Sequence, residues 1–152
     1  MSEREARFAY RLETLIRLRS AERDAASAAA AQAAREVERR SRECDAIVHA
    51  IEGAEAELRA LCASGESIAV DAQLRLQLYL RAERQRHRDK RHELGEATKV
   101  MDRLSTELQE RSRDARALEL HRERKRRAFD VDQQRASLNA ADEQWLARKD
   151  KS

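Results

Sequence analysis

The sequence predicts an all-α fold, a long antiparallel two-helix coiled coil closed as an α-helical hairpin. Three observations predict it. The 152 residues include no proline and only three glycines, Gly53, Gly65 and Gly95, so the chain has few helix breakers and few places to turn. Ala, Glu, Lys, Leu and Arg make up 95 of the residues, well above the roughly half that marks a coiled coil or long helix, and all five favour helix intrinsically. Charged residues are 40% and aromatics 3% of the chain. That is too few large apolar groups for a globular core, but enough for a seam of two apolar positions per heptad. High charge and few aromatics also mark disordered chains; the apolar periodicity weighs against disorder. A single hairpin over residues 1–152 is expected.

Helix 1 is expected over about residues 6–62. Val37, Cys44, Ile51 and Leu58 recur every seven residues, and Arg40, Ile47, Ala54 and Leu61 each follow three later, the alternating 3–4 spacing of knobs-into-holes packing. Phe8, Leu12 and Leu15 repeat the spacing in a phase shifted by about one residue. The change of phase falls in the alanine tract at 25–34.

The turn is expected at about 63–67, where Gly65 lies between Ser64 and Ser67, suiting a helix C-cap and a fresh N-cap. Helix 2 then runs over about 68–148. Its seam is read as Leu94, Met101, Leu108 and Ala115 with Ala97, Leu104 and Leu118, preceded by an apolar patch of Leu74, Leu76, Leu78, Tyr79 and Leu80. Folding at Gly65 pairs residues whose numbers sum to about 131. Leu58 is then expected near Leu74, Ile51 near Leu80, Val37 near Leu94, the alanine tract against Met101 and Leu104, Leu12 and Leu15 at Leu118 and Ala115, and Phe8 near Glu123. Helix 2 is the longer, ~80 residues or ~120 Å, so the stretch from Phe129 onward, with Val131, Leu138, Trp145 and Leu146, has no partner on helix 1. Such apolar groups suggest a binding surface; the plain alternative is a charged, frayed tail. Gly53 and Gly95 fall inside the helices, each costing about 1 kcal/mol relative to Ala.

Chemistry needs converging groups in a pocket, and none is expected in a two-helix rod, so the chain is not expected to be an enzyme. His49, His87, His92 and His121 lack the i, i+3 or i, i+4 spacing of metal ligands on one helix face, and no phosphate-binding loop, GxSxG or HExxH occurs. Neither cofactor nor metal is expected. Cys44 and Cys62 lie ~27 Å apart on one helix, too far for a disulfide, and read as small seam residues. Net charge is +3, with the excess after residue 62. Residues 81–91 hold six basic and two acidic groups, and 122–127 five and one. Such runs can meet phosphate, but no aromatics interleave as stacking platforms; nucleic-acid binding is therefore not expected. No signal peptide or membrane span is read, and a cytoplasmic protein is the default.

The stretch Phe8-Ala9-Tyr10-Arg11-Leu12-Glu13-Thr14-Leu15-Ile16-Arg17-Leu18-Arg19 resembles the opening of the FliJ family. Its members begin with an aromatic residue, then Arg-Leu-Glu-x-Leu-Leu-x-Leu-Arg, then alanines and acids, matched here by Glu22 to Ala34. Leu118-Glu119-Leu120-His121-Arg122-Glu123-Arg124 is similar to the family's Leu-Glu-x-Leu-x-Glu-Arg run, and Asp142-Glu143 to its late Asp-Glu pair. His121 stands where a basic residue is usual, and the aromatic that follows Glu-Arg is displaced to Phe129. The injectisome counterpart, the SctO (YscO-like) proteins, shares the layout. The resemblance implies a cytoplasmic stalk of a type III export apparatus, flagellar or injectisome, peripheral to the inner membrane without entering it. Its implied partners are the hexameric export ATPase, the export gate and export chaperones. By analogy with rotary-ATPase stalks, the end holding both chain termini would enter the ring. Its expected contacts are Phe8, Leu12, Leu15, Arg122, Arg124, Arg126, Arg127, Phe129 and Trp145. The competing functions are a generic cytosolic coiled-coil adaptor and a basic nucleic-acid-binding coiled coil.

Overall fold

The computed structural model describes residues 8–64 and 69–149. It contains two helices packed against each other, α1 (Glu13–Ser64) and α2 (Ala69–Lys149), and no strand among the described residues. Residues 65–67, with Gly65 and Ser67 at the centre of the expected turn, lie outside them. The chain divides into two compact units. The first takes residues 1–25 and 109–152, the second residues 26–108, so each helix contributes to both.

In the second unit, α1 buries Cys44, Ile47 and Ala54, and α2 buries Leu80. Half-buried neighbours complete a 3–4 alternation: Val37, Arg40, Ile51, Leu58 and Leu61 on α1, and Leu76, Leu94, Ala97, Met101, Leu104 and Leu108 on α2. The two helices run oppositely, because Arg40 meets Glu93 at 2.8 Å, Glu43 meets Lys90 at 3.7 Å and Glu55 meets Arg84 at 2.7 Å. Arg40–Glu93 and Glu43–Lys90 each sum to 133, close to the expected 131, whereas Glu55–Arg84 sums to 139. Polar residues share the seam. Gln73, Glu83, His87 and Lys90 hold its alternating positions on α2, each half-buried, with long stems covering apolar surface while their heads reach water.

Two expectations in this unit fail. Leu74 is 55% exposed and Leu78 58%; Leu76 and Leu80 face the seam instead, since side chains four apart share a helix face and those two apart do not. Leu58 therefore does not face Leu74 as a buried pair. Cys62 is exposed, one position past the seam residue Leu61, whereas Cys44 is buried; both are free thiols.

In the first unit the core is Ile16 and Ala115. The phase shift expected here does not occur. Ile16, Arg19 and Arg23 hold the inward positions that Ala26, Ala30, Ala33 and Val37 continue at the same 3–4 spacing. Leu15 is half-buried beside this row, and Leu12 is 38% exposed. Apolar identity suggested the shifted phase; the arginines keep the true one, their stems serving as seam groups. Opposite pairing recurs as Glu22 with Arg111 at 3.4 Å and Glu13 with Arg122 at 3.1 Å.

Helix α1 starts at Glu13, later than the expected residue 6; residues 8–12 are not helical, and residues 6 and 7 lie outside the described range. The Glu13 amide donates to the Tyr10 carbonyl at 3.1 Å, closing a turn, and the Ile16 amide donates to the Leu12 carbonyl at 3.0 Å, opening the helix. Leu12 thus occupies the cap position without a capping oxygen. Glu13 sets a carboxylate in the first turn, where the helix dipole favours negative charge.

Candidate functional site

The residues expected to meet a partner gather in the first unit, where the non-helical segment before α1 lies on α2. Two aromatic contacts hold it there. Phe8 and Phe129 have ring centroids 5.6 Å apart, tilted by 53°, and Tyr10 stacks on Phe8 at 6.4 Å. The Tyr10 ring also lies 5.7 Å from that of His121, with its Oη 2.6 Å from His121 Nδ1. With a neutral imidazole bearing its proton on Nε2, the phenol donates and Nδ1 accepts.

Phe129 is therefore half-buried and partnered, contrary to the expectation of an unpaired stretch from that residue on. Phe8 lines one cleft with Glu123, as expected, and also reaches Phe129 further along α2, because residues outside a helix can advance up to ~3.3 Å each against 1.5 Å within it. Ala115, Arg122 and Phe129 are seven apart, so the rings add one heptad to the α2 seam beyond the start of α1.

Arg122 Nη1 donates to both carboxylate oxygens of Glu13, at 3.1 and 3.3 Å. On one side of the aromatic pair, Tyr10, Leu12, His121 and Lys125 line a shallow cleft. On the other, Glu13, Arg17, Arg122 and Arg126 line a charged one. Arg124, Arg126 and Arg127 are exposed and make no salt bridge among the described residues. Phe8, Leu12, Arg122, Arg126 and Phe129 thus lie together, while no contact joins Leu15, Arg124 or Arg127 to them among the described residues. Trp145 is not among them either. It lies sixteen residues beyond Phe129, ~24 Å along the helix, 61% exposed, with the Lys149 ammonium 5.2 Å over its ring.

The site offers apolar rings, a phenol–imidazole hydrogen bond and exposed cations, which suit recognition. No group of three or more His, Cys, Asp or Glu side chains placed to hold a metal occurs among the described residues. No helix is long and apolar enough to cross a membrane among them either.

A second polar cluster lies in the other unit. Arg40, at a seam position, is shared between Glu36 at 2.7 Å and Glu93 at 2.8 Å, and Lys90 joins Glu93 at 2.9 Å. Hydrogen bonds from Arg39 and Arg40 hold the Glu36 carboxyl down to about 2. The Lys90 hydrogen bond likewise lowers Glu93.

Sequence reasoning missed Tyr10, His121 and Glu13 as members of the site. Tyr10 and His121 are 111 positions apart, and no local pattern pairs them. The one available signal was that both stand inside the two motif-like runs. No known family matches this chain, and neither a curated protein nor a solved structure shows significant similarity to it.

Proposed function

We propose that this chain is a cytoplasmic coupling stalk of a type III protein export apparatus, binding the hexameric export ATPase through the Phe8–Phe129 end and linking it to the export gate. One observation carries the reading. The two runs that resemble the FliJ family, Phe8–Arg19 and Leu118–Arg124, are distant in sequence, yet Tyr10 bonds His121 and Glu13 bonds Arg122. Residues that resemble one family's two motifs are joined in one surface.

The chemistry suits a stalk inside a ring. Such a stalk needs few permanent contacts, so that it biases the ring without locking to it. Arg124, Arg126 and Arg127 are exposed cations beside a small apolar anchor, able to meet acidic groups on several subunits in turn. The arrangement is less suited to nucleic acid, because Phe8 is taken up between a stacked Tyr10 and a tilted Phe129, so the rings offer no row of open aromatic faces. The adaptor reading uses the same surface with an unrelated partner.

The test is a pull-down of the full chain with a hexameric type III export ATPase. The expected result is capture that is lost when Arg122, Arg124, Arg126 and Arg127 are reversed to glutamate, with helicity by circular dichroism unchanged. Absence of capture by the unaltered chain sinks the reading in favour of the adaptor. Capture indifferent to the four reversals moves the contact elsewhere.

A further inference from the structure

We infer that residues 131–148 of α2 form a self-association surface for a second copy of this chain, an antiparallel helix pair. Val131, Leu138 and Trp145 are spaced by seven, and are 44%, 66% and 61% exposed. They lie two, nine and sixteen residues after Phe129, which at 3.6 residues per turn is roughly half a turn round the helix in each case. The stripe therefore faces away from the side that Phe8 covers.

The stripe has the pattern of a coiled-coil position a, and Gln134, Ala141 and Arg148 follow as position d. In an antiparallel pair, a of one helix packs on d of the other. Leu138 then meets Ala141 of the second copy, and by symmetry Ala141 meets its Leu138, large against small in both layers. Trp145 covers Gln134 of the second copy, and Val131 lies along the stem of its Arg148. The same alignment sets Arg135 beside Asp142 of the second copy, twice over, at the flanking e positions where interhelical ion pairs select partner and orientation. Parallel pairing would set Arg135 beside Asp130 of the second copy, leave Asp142 beside Ser137, and bring Arg148 onto Arg148 in the last d layer, a like-charge contact. The charges thus choose the antiparallel, closed, two-fold arrangement. Within the chain itself, Arg135 and Asp142 are both exposed and join no salt bridge among the described residues. About five helical turns of contact lie at the small end of specific interfaces, so the association is weak and reversible. It does not depend on the export reading.

The experiment is sedimentation equilibrium of the full chain under reducing conditions, which keep the exposed Cys62 from crosslinking. The expected result is a monomer–dimer equilibrium whose dissociation constant rises at least about tenfold in Leu138→Asp. Arg135→Asp and Asp142→Arg should each weaken the dimer, and the double variant should restore it. A chain that stays monomeric at the highest soluble concentration overturns the inference. So does a dimer indifferent to Leu138→Asp, or one in which the double charge swap fails to recover what each single swap loses. If Leu138→Asp lowers helicity, the two surface charge swaps alone decide.

Discussion

Ile47 is 5% exposed and Leu74 is 55% exposed, and that contrast sets what single substitutions should do. Ile47→Ala opens a gap between the helices and should cost about 2–3 kcal/mol, seen as a lower urea midpoint; Leu74→Ala should cost less than 1 kcal/mol. Equal losses would refute the seam. Gly53 and Gly95 are exposed, and a Cβ added at either meets nothing within 4 Å. Gly53→Ala and Gly95→Ala should each stabilise by about 1 kcal/mol, the helix-propensity difference, and raise the thermal midpoint. Glu36 titrates at about 2 because Arg39 and Arg40 hydrogen-bond its carboxylate. Its depressed value means the folded state prefers the charged form, so its stabilisation is present above the ordinary carboxylate range. That stabilisation is lost as pH falls from about 4.5 through 2. Glu36→Gln should therefore narrow the stability difference between pH 6 and pH 2.5, by a small amount because the group is open to solvent and screened by salt.

At the scale of elements, the seam was legible in the sequence and the start of α1 was not. Cys44, Ile47, Ala54, Ala97, Met101 and Leu108 are inward as their 3–4 spacing requires, because that spacing is the geometry of helix pairing. The inward polar groups Arg19, Arg23, Glu83 and His87 were not legible, since a pattern search for apolar residues treats long charged stems as surface. Phe8, Leu12 and Leu15 carry helical spacing too, yet residues 8–12 are not helical. Tertiary contacts decide there: Phe8 on Phe129 and Tyr10 on His121 hold the segment in a turn. Only a contact across 111 positions, invisible to local periodicity, distinguishes the two outcomes. If the rings hold the turn, Phe8→Ala with Tyr10→Phe should speed hydrogen exchange at the Glu13 and Ile16 amides by about tenfold or more. That corresponds to the loss of about 1.4 kcal/mol of local protection. Exchange at Ile47 should be unchanged. Unchanged exchange at Glu13 would mean the helix start does not depend on the aromatic pair.

For the whole molecule, two helices packed antiparallel in each of two units leave function to the surfaces they present. One is the aromatic and arginine-edged surface of the first unit. Another is the exposed apolar face of Val70, Leu74 and Leu78 at the start of α2 in the second unit. The functional account says that the first of these meets the export ATPase. The most direct measurement places a photo-crosslinking residue at Lys125, beside His121 and Tyr10, or at Gln77, on the exposed part of α2 near Leu78. Each full-length variant is then irradiated with the hexameric ATPase. The account predicts a crosslink to the ATPase from position 125 and none from position 77; a crosslink from 77 alone, or from neither, would contradict it.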